Sequence, residues 1–436
     1  MEFKQYPSYK KSGVEWLGDV PEHWQIVRTK DIFNHRKEEA LEDDEIVTAF
    51  RDGQVTLRKN RRTDGFTNSI KEHGYQHINS GDLVIHEMDA FAGAIGVSDS
   101  SGKSTPVYSV CYAKNENINH HFYSHFFRTM AKTGFINSLA KGIRVRSTEF
   151  RWNESRNVYL VEPPKSDQQK IVAFLDTETT RIDNLIAKQE KLIELLEEQR
   201  KSIISHAVTK GLNPNAPMKD SGVEWLGKVP NDWNFSRLDA VSKIVRGNSA
   251  FSKMDLLESG KYVALQYGKT YKVNEINESF GSYVNQEFFK KSQITEFGDI
   301  ILISTSETLE DLGHSCFYAR HDVGLIGGEQ FLLKPKNQNF GKYIYYATKA
   351  FSSYLQRYAT GLKVFRFNLD DLKKIYIPDI SLVEQQKIAE FLDKETARID
   401  ISVLKQKSLI EKLKEYRASI ISHAVTGKID VREFGA

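Results

Sequence analysis

The strongest constraint on this 436-residue chain is an internal duplication. GVEWLGDVPEHW at residues 13–24 recurs as GVEWLGKVPNDW at 222–233, and residues 167–209 recur at 384–426 with 28 of 43 positions identical. A long period that occurs only twice is not typical of a solenoid, in which many short units stack. The chain therefore consists of two copies of a two-part unit, a globular part followed by a helical part.

The two globular parts have diverged, but they keep traces of a shared scaffold. Residues 81–85 resemble 298–302, and residues 158–160 resemble 375–377, at the same offset of 217 positions that relates the helical parts. We divide the chain into a first globular domain (1–165), a first helical segment (166–211), a second globular domain (212–380), a second helical segment (381–428) and a tail (429–436).

Apolar residues at alternating spacings of three and four predict that the helical segments form a coiled coil. The predicted seam is Ile182, Leu185, Gln189, Leu192, Leu196, Gln199 and Ile203 in the first copy, and Ile399, Ser402, Gln406, Leu409, Leu413, Tyr416 and Ile420 in the second. A third apolar column contains Ile186, Ile193, Val403 and Ile410, and we expect it to contact a partner. The threonine-rich stretch 176–180 leaves two alternatives open, one long helix or a short helix followed by a long one.

Chain direction favours antiparallel helices, because the first leaves one globular domain and enters the other, and the second leaves that other domain. This arrangement brings the C-terminus close to the N-terminus and lets each GVEWLG segment cover the C-terminal end of one helix. The predicted fold class is α+β, with two similar α/β domains separated by two long antiparallel coiled-coil helices in a pseudo-two-fold repeat.

The sequence contains only incomplete matches to motifs for catalysis and cofactor binding. Residues 96–104 resemble a phosphate-binding loop, but five residues separate the two glycines where that loop has four. His121 and His125, and also His73 and His77, have the spacing of zinc ligands on a helix, yet no HExxH motif accompanies them. We therefore predict that this chain has no catalytic residues, no metal site and no cofactor of its own.

The sequence also bears on location. No apolar run approaches the roughly 20 residues that a membrane helix needs, so no membrane contact is expected. The N-terminus lacks the apolar core of a secretory signal. The only two cysteines, Cys111 and Cys316, are too far apart for a CxxC-type site and do not form a disulfide scaffold. A cytoplasmic location is the expectation.

The net charge is only +3, so any contact with nucleic acid must come from local basic clusters. Gly142 with Arg144, and Gly361 with Lys363, occupy matched places in the two domains. A cation that is kept in both copies suits phosphate contact, whereas the unshared arginines of residues 58–62 suit base reading. The candidate DNA-binding residues are Arg58, Lys59, Arg61, Arg62, Lys141, Arg144, Arg146, Arg246, Lys269, Lys363 and Arg366.

With these motifs the chain resembles the specificity subunit of type I restriction–modification systems over essentially its whole length. The resemblance rests on the order of variable domain and conserved helix, on GVEWLG-x-VP-x-x-W, and on EQQKIA-x-FLD followed by R-x-SIIS-x-AVTG. It implies two target recognition domains that each read one half of a bipartite site on double-stranded DNA. It also implies separate adenine methyltransferase subunits, expected in two copies, and motor/endonuclease subunits, with S-adenosylmethionine, ATP and Mg²⁺ bound by those partners.

Two other classes of function stay open at this point. One is an enzyme with unrecognised catalytic residues, such as a self-contained nuclease. The other is a structural coiled-coil adaptor that makes no contact with DNA.

Overall fold

The computed structural model describes residues 3–61, 73–139, 150–248, 251–336 and 341–434. The chain folds into two compact units, one of residues 1–189 with 408–436 and the other of residues 190–407. Both long helices are continuous: the first spans Lys165–Lys210 and the second spans Leu382–Val425. The first helix thus runs through the threonine-rich stretch without a break.

The first globular domain is built on a four-stranded antiparallel sheet in the order Phe33–His35, Tyr108–Ala113, Leu83–His86, Ile95–Val97. The helix His120–Lys132 packs against this sheet because Phe122, Phe126 and Met130 form a buried stripe at four-residue spacing. The other strands are Tyr9–Lys11, Asp19–Pro21, Gln25–Arg28, Val47–Ala49, Val55–Leu57, Gln76–Ile78, Gly102–Ser104 and Tyr159–Glu162. The short helices are Thr29–Ile32, Arg58–Asn60, Ala90–Ala92, Phe135–Ser138 and Trp152–Ser155.

The second globular domain repeats this sheet in the order Ser242–Arg246, Gln330–Pro335, Ile300–Ile303, Ser315–Tyr318, and adds Glu275–Ile276 in parallel at the edge. A second sheet contains Tyr283–Val284, Tyr262–Leu265, Gly324–Ile326 and Ile294–Thr295. The remaining strands are Met218–Asp220, Lys228–Pro230, Asn234–Arg237, Thr305–Ser306, Phe365–Arg366 and Tyr376–Asp379. The helices are Leu238–Val241, Lys253–Asp255, Tyr267–Thr270, Gln286–Phe288, Lys291–Gln293, Gly341–Leu355, Gln356–Tyr358 and Leu369–Lys373.

The predicted scaffold equivalence is confirmed at the turn before each central strand. Gly81 and Gly298 both have left-handed backbone, with φ of +93° and +92°. The buried carboxylate that follows each glycine accepts a backbone N–H three residues upstream: Asp82 Oδ2 from Asn79 at 2.9 Å, and Asp299 Oδ2 from Glu296 at 2.8 Å. The local sequence therefore specifies the same turn twice.

The long helices run antiparallel where the first unit pairs them. Ile171 and Leu175, near the start of the first helix, share a core with Ile421 and Val425, near the end of the second. Further along the first helix, Asp183 Oδ1 lies 2.9 Å from Arg417 Nε, earlier on the second. As the residue number increases along the first helix, the residue number of its contact partner on the second helix decreases.

The second unit pairs the opposite helix ends in the same sense. Ile204 and Val208 of the first long helix share a core with Ile388 and Leu392 of the second. Arg200 forms an ion pair with Asp400. The antiparallel pairing that chain direction predicted is therefore confirmed in both units.

Each GVEWLG segment covers the C-terminal end of a long helix, as predicted. In the second unit, Lys210 Nζ donates a hydrogen bond to the Leu226 carbonyl oxygen at 3.2 Å. In the first, Lys428 Nζ donates to the Leu17 carbonyl oxygen at 2.8 Å, across the chain ends. The glycine at each helix end has φ of +72°, so the chain turns where a residue with a side chain would be strained.

The tail is part of the core of the first unit. Ile429 and Val431 are buried there. The Asp430 backbone N–H donates to the Lys4 carbonyl oxygen at 2.8 Å, and Lys4 Nζ lies 2.6 Å from Glu433 Oε2. The two chain ends therefore lie side by side.

This proximity predicts that a circular permutant will fold. We expect a chain that begins at residue 212, with residue 436 joined to residue 1 by a short flexible linker, to keep its helical circular dichroism and cooperative unfolding. The new termini then lie in the connection that follows the first long helix. In the other copy, the natural N- and C-termini lie at the corresponding place. A permutant opened after Gln189, within the first long helix, is the control and should fail to fold. Failure of the residue-212 permutant at every linker length would contradict the expectation.

One column of the predicted seam is confirmed and the other is displaced by one residue. In the confirmed column, Ile182, Ile399 and Ile420 are buried, and Gln189, Leu196, Ile203, Gln406 and Leu413 are half-buried. Val403 and Ile410, which we expected to contact a partner, are each only 6% exposed, and Ile186 and Ile193 are half-buried. Leu192 and Leu409, which we placed in the seam, are 39% and 40% exposed. Successive helix positions differ by about 100°, so moving the inward column by one residue turns the other column towards solvent.

Candidate nucleic-acid interface

The clearest candidate surface for nucleic acid is a hairpin loop of residues 359–366 in the second domain. Thr360 and Arg366 exchange two backbone hydrogen bonds of 2.9 Å, which close the loop. Phe365–Arg366 pairs with Thr305–Ser306, which follows the central strand Ile300–Ile303 directly. The loop is thereby held on the scaffold of the domain.

Gly361 allows this loop its shape. Its φ is +113°, and a Cβ at this position would overlap the carbonyl oxygen of Val364. Both facts require glycine, because a side chain would be strained by the backbone and blocked by the loop itself. The matched Gly142 of the first domain has the same sequence context but falls outside the described residues.

The 359–366 loop presents one apolar and two cationic side chains to solvent. Leu362 is 99% exposed, and Lys363 and Arg366 are both exposed. Cations can contact phosphates, while an apolar tip can contact thymine methyl groups or sugars in a groove. Leu362 is not among the residues predicted from the sequence, although Ile143 at the matched place is also apolar.

A tyrosine-flanked turn lies beside the loop. Tyr267 hydrogen-bonds to Ser306, whose strand pairs with Phe365–Arg366, and burial raises the pKa of the Tyr267 hydroxyl. The rings of Tyr267 and Tyr271 stack with their centroids 5.7 Å apart, and Lys269 is exposed between them. Tyr267, two residues before Lys269, thus contacts the strand pair that carries the 359–366 loop.

Arg246 is placed differently. It is exposed at the end of the strand Ser242–Arg246, and its carbonyl oxygen accepts a hydrogen bond from Gln293 Nε2 at 3.2 Å. Its backbone is thereby fixed at the sheet edge.

The cations of residues 58–61 follow a hairpin of the first domain, and internal partners hold several of them. Arg58 Nε lies 3.4 Å from Thr48 Oγ1, Lys59 forms an ion pair with Glu45, and Arg61 Nη1 lies 2.7 Å from Asp52 Oδ2. The Arg61 guanidinium also lies 4.3 Å from the ring centroid of Phe50. Surface ion pairs contribute at most about 1 kcal/mol, so a DNA phosphate can replace these carboxylates at small cost.

Four candidates fall outside the described residues: Arg62, Lys141, Arg144 and Arg146. Of these four residues, Arg144 matches Lys363 in the sequence.

The segments that resemble a phosphate-binding loop or a zinc site do not have the geometry of such sites in the described residues. Gly102–Ser104 forms a strand paired with Gln76–Ile78, whereas a phosphate-binding loop opens a helix. Burial and nearby cations lower the pKa of His125 to about 3, and His77 Nδ1 lies 2.6 Å from Asp44 Oδ2. Among the described residues, no three His, Cys, Asp or Glu side chains are grouped to hold a metal ion.

The cysteines and the helices of the described residues give no further candidate site. Cys111 and Cys316 are buried free thiols, and burial raises the pKa of each. No helix in the described ranges is long and apolar enough to cross a lipid bilayer.

Comparison with known proteins decides the family. The sequence profile described as "Type I restriction modification DNA specificity domain" matches residues 21–197 and again residues 230–412. The chain belongs to this family. Each match begins in a globular domain and ends in a long helix, so the internal duplication is a duplication of the family's domain. The 359–366 loop lies within the second match.

Relatives of the whole chain agree with this assignment. The chain is 25% identical to the putative type I restriction enzyme MjaX specificity subunit of Methanocaldococcus jannaschii, over 99% of both chains. It is 23% identical to the MjaVIII specificity subunit of the same organism, over 95% of this chain and 94% of the relative. The specificity subunit of EcoKI from Escherichia coli is 24% identical over 47% of this chain and 44% of its own length.

Solved structures share the fold. One chain, from a study of complex assembly and conformational transition of the type I R-M system, aligns with a TM-score of 0.69 at 15% identity, over 93% of this chain and 98% of that one. The HsdS subunit from Thermoanaerobacter tengcongensis aligns with a TM-score of 0.53 at 15% identity, over 94% and 98%. The family match and the relatives of the whole chain identify it as a DNA sequence-specificity subunit of a type I restriction–modification system.

Proposed function

We propose that this specificity subunit reads a bipartite site on duplex DNA, one half with each globular domain, for adenine methyltransferase subunits held by its long helices. The observation that carries the proposal is the repeated domain architecture. The same strand order occurs twice, while the basic cluster of residues 58–61 is not shared between the two domains. One scaffold that carries different contact residues suits two different half-sites.

The remaining chemistry belongs to partner subunits in this proposal. Methylation with S-adenosylmethionine is assigned to the methyltransferase, and ATP- and Mg²⁺-dependent translocation and cleavage to a motor/endonuclease. This chain then contributes binding and positioning, and it is not itself an enzyme.

Exposed apolar side chains on the long helices support protein docking there. After the correction of the seam, these are Leu192, Leu195, Ile401, Leu404 and Leu409, which are 39–65% exposed. Apolar side chains that recur along a helix and stay exposed mark contact surfaces. They replace Ile186, Ile193, Val403 and Ile410 as the proposed methyltransferase contacts.

Purified components test the proposed function. With duplex DNA, Mg²⁺ and S-adenosylmethionine, we expect this chain alone to bind DNA without modifying it, and the chain with a methyltransferase to methylate one bipartite sequence. Methylome sequencing of cells with and without the gene identifies that sequence. Methylation or cleavage by the chain alone would indicate a self-contained enzyme, and absence of DNA binding would indicate an adaptor.

Replacing Lys363 by Ala tests phosphate contact. We expect weaker binding to all sequences by about the same factor, and a salt dependence lower by roughly one unit, because one phosphate contact releases about one counterion. Lys387→Ala, an exposed lysine on the second long helix, is the charge-matched control. Arg144→Ala should behave as Lys363→Ala does. A change in the recognised sequence with an unchanged salt dependence would reverse the assignment.

Base reading by the unshared arginines has a different signature. Arg61→Ala is expected to cost about 1–3 kcal/mol and to relax preference at one position of one half-site. A binding assay over a randomised half-site library, at two salt concentrations, distinguishes this result from that of Lys363→Ala.

A further inference from the structure

The first unit contains a recess of about 240 Å³ between the helix His120–Lys132 and the last turns of the second long helix. His125, Arg128 and Lys132 line one side, and Ser419 and Ser422 line the other. Among the described residues that line the recess, the charged groups are cations and none is a carboxylate. The recess therefore concentrates positive charge without an internal counter-charge.

Arg128 is the key group of this recess. Its Nε is buried without a hydrogen-bond partner among the described residues, and so is Nδ1 of His125. The guanidinium lies so close to Gly53 that a Cβ on that glycine would overlap it. Burial, and then Arg417, lower the pKa of Arg128, while the one opposing carboxylate, Asp52, is paired with Arg61.

Repulsion between neighbouring cations also affects Lys132, at the rim of the recess. Lys132 is exposed, yet partial burial and then the guanidinium groups of Arg128 and Arg417 lower its pKa. Arg417 itself is occupied by Asp183. Like charges gathered in this way are costly unless an anion joins them.

The second unit has a corresponding recess, and there the equivalent cation has a hydrogen-bond partner. Lys349 takes the place of Arg128 at an offset of 221 residues, which also aligns the buried Phe122 with Tyr343. Lys349 Nζ donates to Asn274 Oδ1 at 2.8 Å.

Carboxylates complete this second recess, of about 660 Å³. Its lining includes Glu197, Asp311 and Asp400. At the helix offset of 217, Glu197 corresponds to Lys414 in the first unit. Asp400 has a counterpart in Asp183, which pairs with Arg417, so the first unit differs by a lysine where the second has the carboxylate of Glu197.

We propose that the recess of the first unit receives an acidic side chain from the methyltransferase subunit. This inference rests on the proposed function. A carboxylate on a flexible stem can enter a recess of this size and form charge-assisted hydrogen bonds with Arg128 and Lys132. Phosphates of a duplex require cations that project to its surface, as Lys363 does. Ser419 and Ser422, which match Ser202 and Ser205 in the other copy, belong to the helix on which the methyltransferase docks.

The test combines Arg128→Met and Lys132→Gln in the full chain, with Lys114→Gln as the control for an exposed lysine outside the recess. We expect the affinity for purified methyltransferase, measured without DNA, to fall at least about 10-fold in the double variant and to stay unchanged in the control. The thermal midpoint of the free chain should stay constant or rise, because a buried uncompensated charge is removed. Lys132→Gln alone, at the rim, should give a smaller loss of affinity with an unaltered fold.

Unchanged methyltransferase affinity in the double variant would overturn the inference. So would a loss of duplex affinity with full methyltransferase binding, which would assign the recess to a phosphate. If the unaltered chain fails to bind the methyltransferase, the proposed function is contradicted, and that result is distinguishable because the unaltered chain is measured first.

Discussion

Replacing Ile410 by Asp is expected to destabilise the first unit by more than about 3 kcal/mol, whereas Leu409→Asp leaves its stability within about 0.5 kcal/mol. Ile410 is 6% exposed and Leu409 is 40% exposed, although they are neighbours in the chain. An aspartate at position 410 would lose the hydration of its carboxylate, whereas an aspartate at position 409 would stay hydrated. Urea unfolding of the two variants measures the difference.

Leu409→Asp has a second expected result, because its side chain belongs to the proposed docking surface. Combined with Leu404→Asp, it should weaken methyltransferase binding by at least about 10-fold while both globular domains stay folded. Equal loss of stability in the Ile410 and Leu409 variants would contradict the assignment of the inward column. Full binding by the Leu404/Leu409 double variant would remove this surface from the docking site.

Gly361→Ala is expected to lower affinity for DNA by about 10-fold or more, with the loss confined to the half-site of the second domain. The backbone conformation alone costs about 1–3 kcal/mol for a residue with a side chain, and the Cβ would displace the Val364 carbonyl oxygen. The 359–366 loop must then open, and Leu362, Lys363 and Arg366 lose their common placement. Binding to libraries randomised in one half-site at a time measures the effect.

Gly328→Ala is the matched control in the same domain. A Cβ on Gly328 meets no atom within 4 Å, and its φ is not in the left-handed region, so binding should be unchanged. Equal effects of the two substitutions, or a loss at the half-site of the first domain, would show that the 359–366 loop is not the contact surface.

The sequence predicted those features that depend on residues close together in the chain. The repeat of residues 167–209 at 384–426 identified two long helices, and the GVEWLG segments located the covers of their C-terminal ends. Gly81 and Gly298 marked identical turns because each is followed by an aspartate that accepts a backbone N–H three residues upstream. Such signals depend on neighbours in the chain, so no tertiary contact is needed to read them.

The candidate site was predicted in part. Lys363, Arg366 and Lys269 were identified as cations near aromatic residues. The structure holds the first two in one loop on the strand pair Thr305–Ser306 and Phe365–Arg366, which Tyr267 also contacts. Their proximity depends on a strand pairing that spans about sixty residues of chain, which periodicity does not reveal. The ion pairs of Lys59 with Glu45 and of Arg61 with Asp52 likewise depend on a hairpin fold.

The sequence by itself determined a duplicated α+β chain with two amphipathic helices, because repeat and heptad spacing are properties of the chain alone. Only the tertiary structure decided which helix face is buried. Leu192 and Ile193 are both apolar, as are Leu409 and Ile410, so the pattern fits either of two columns about 100° apart. The choice between them depends on what packs against each face, and tertiary packing likewise leaves Arg128 Nε buried with no hydrogen-bond partner among the described residues.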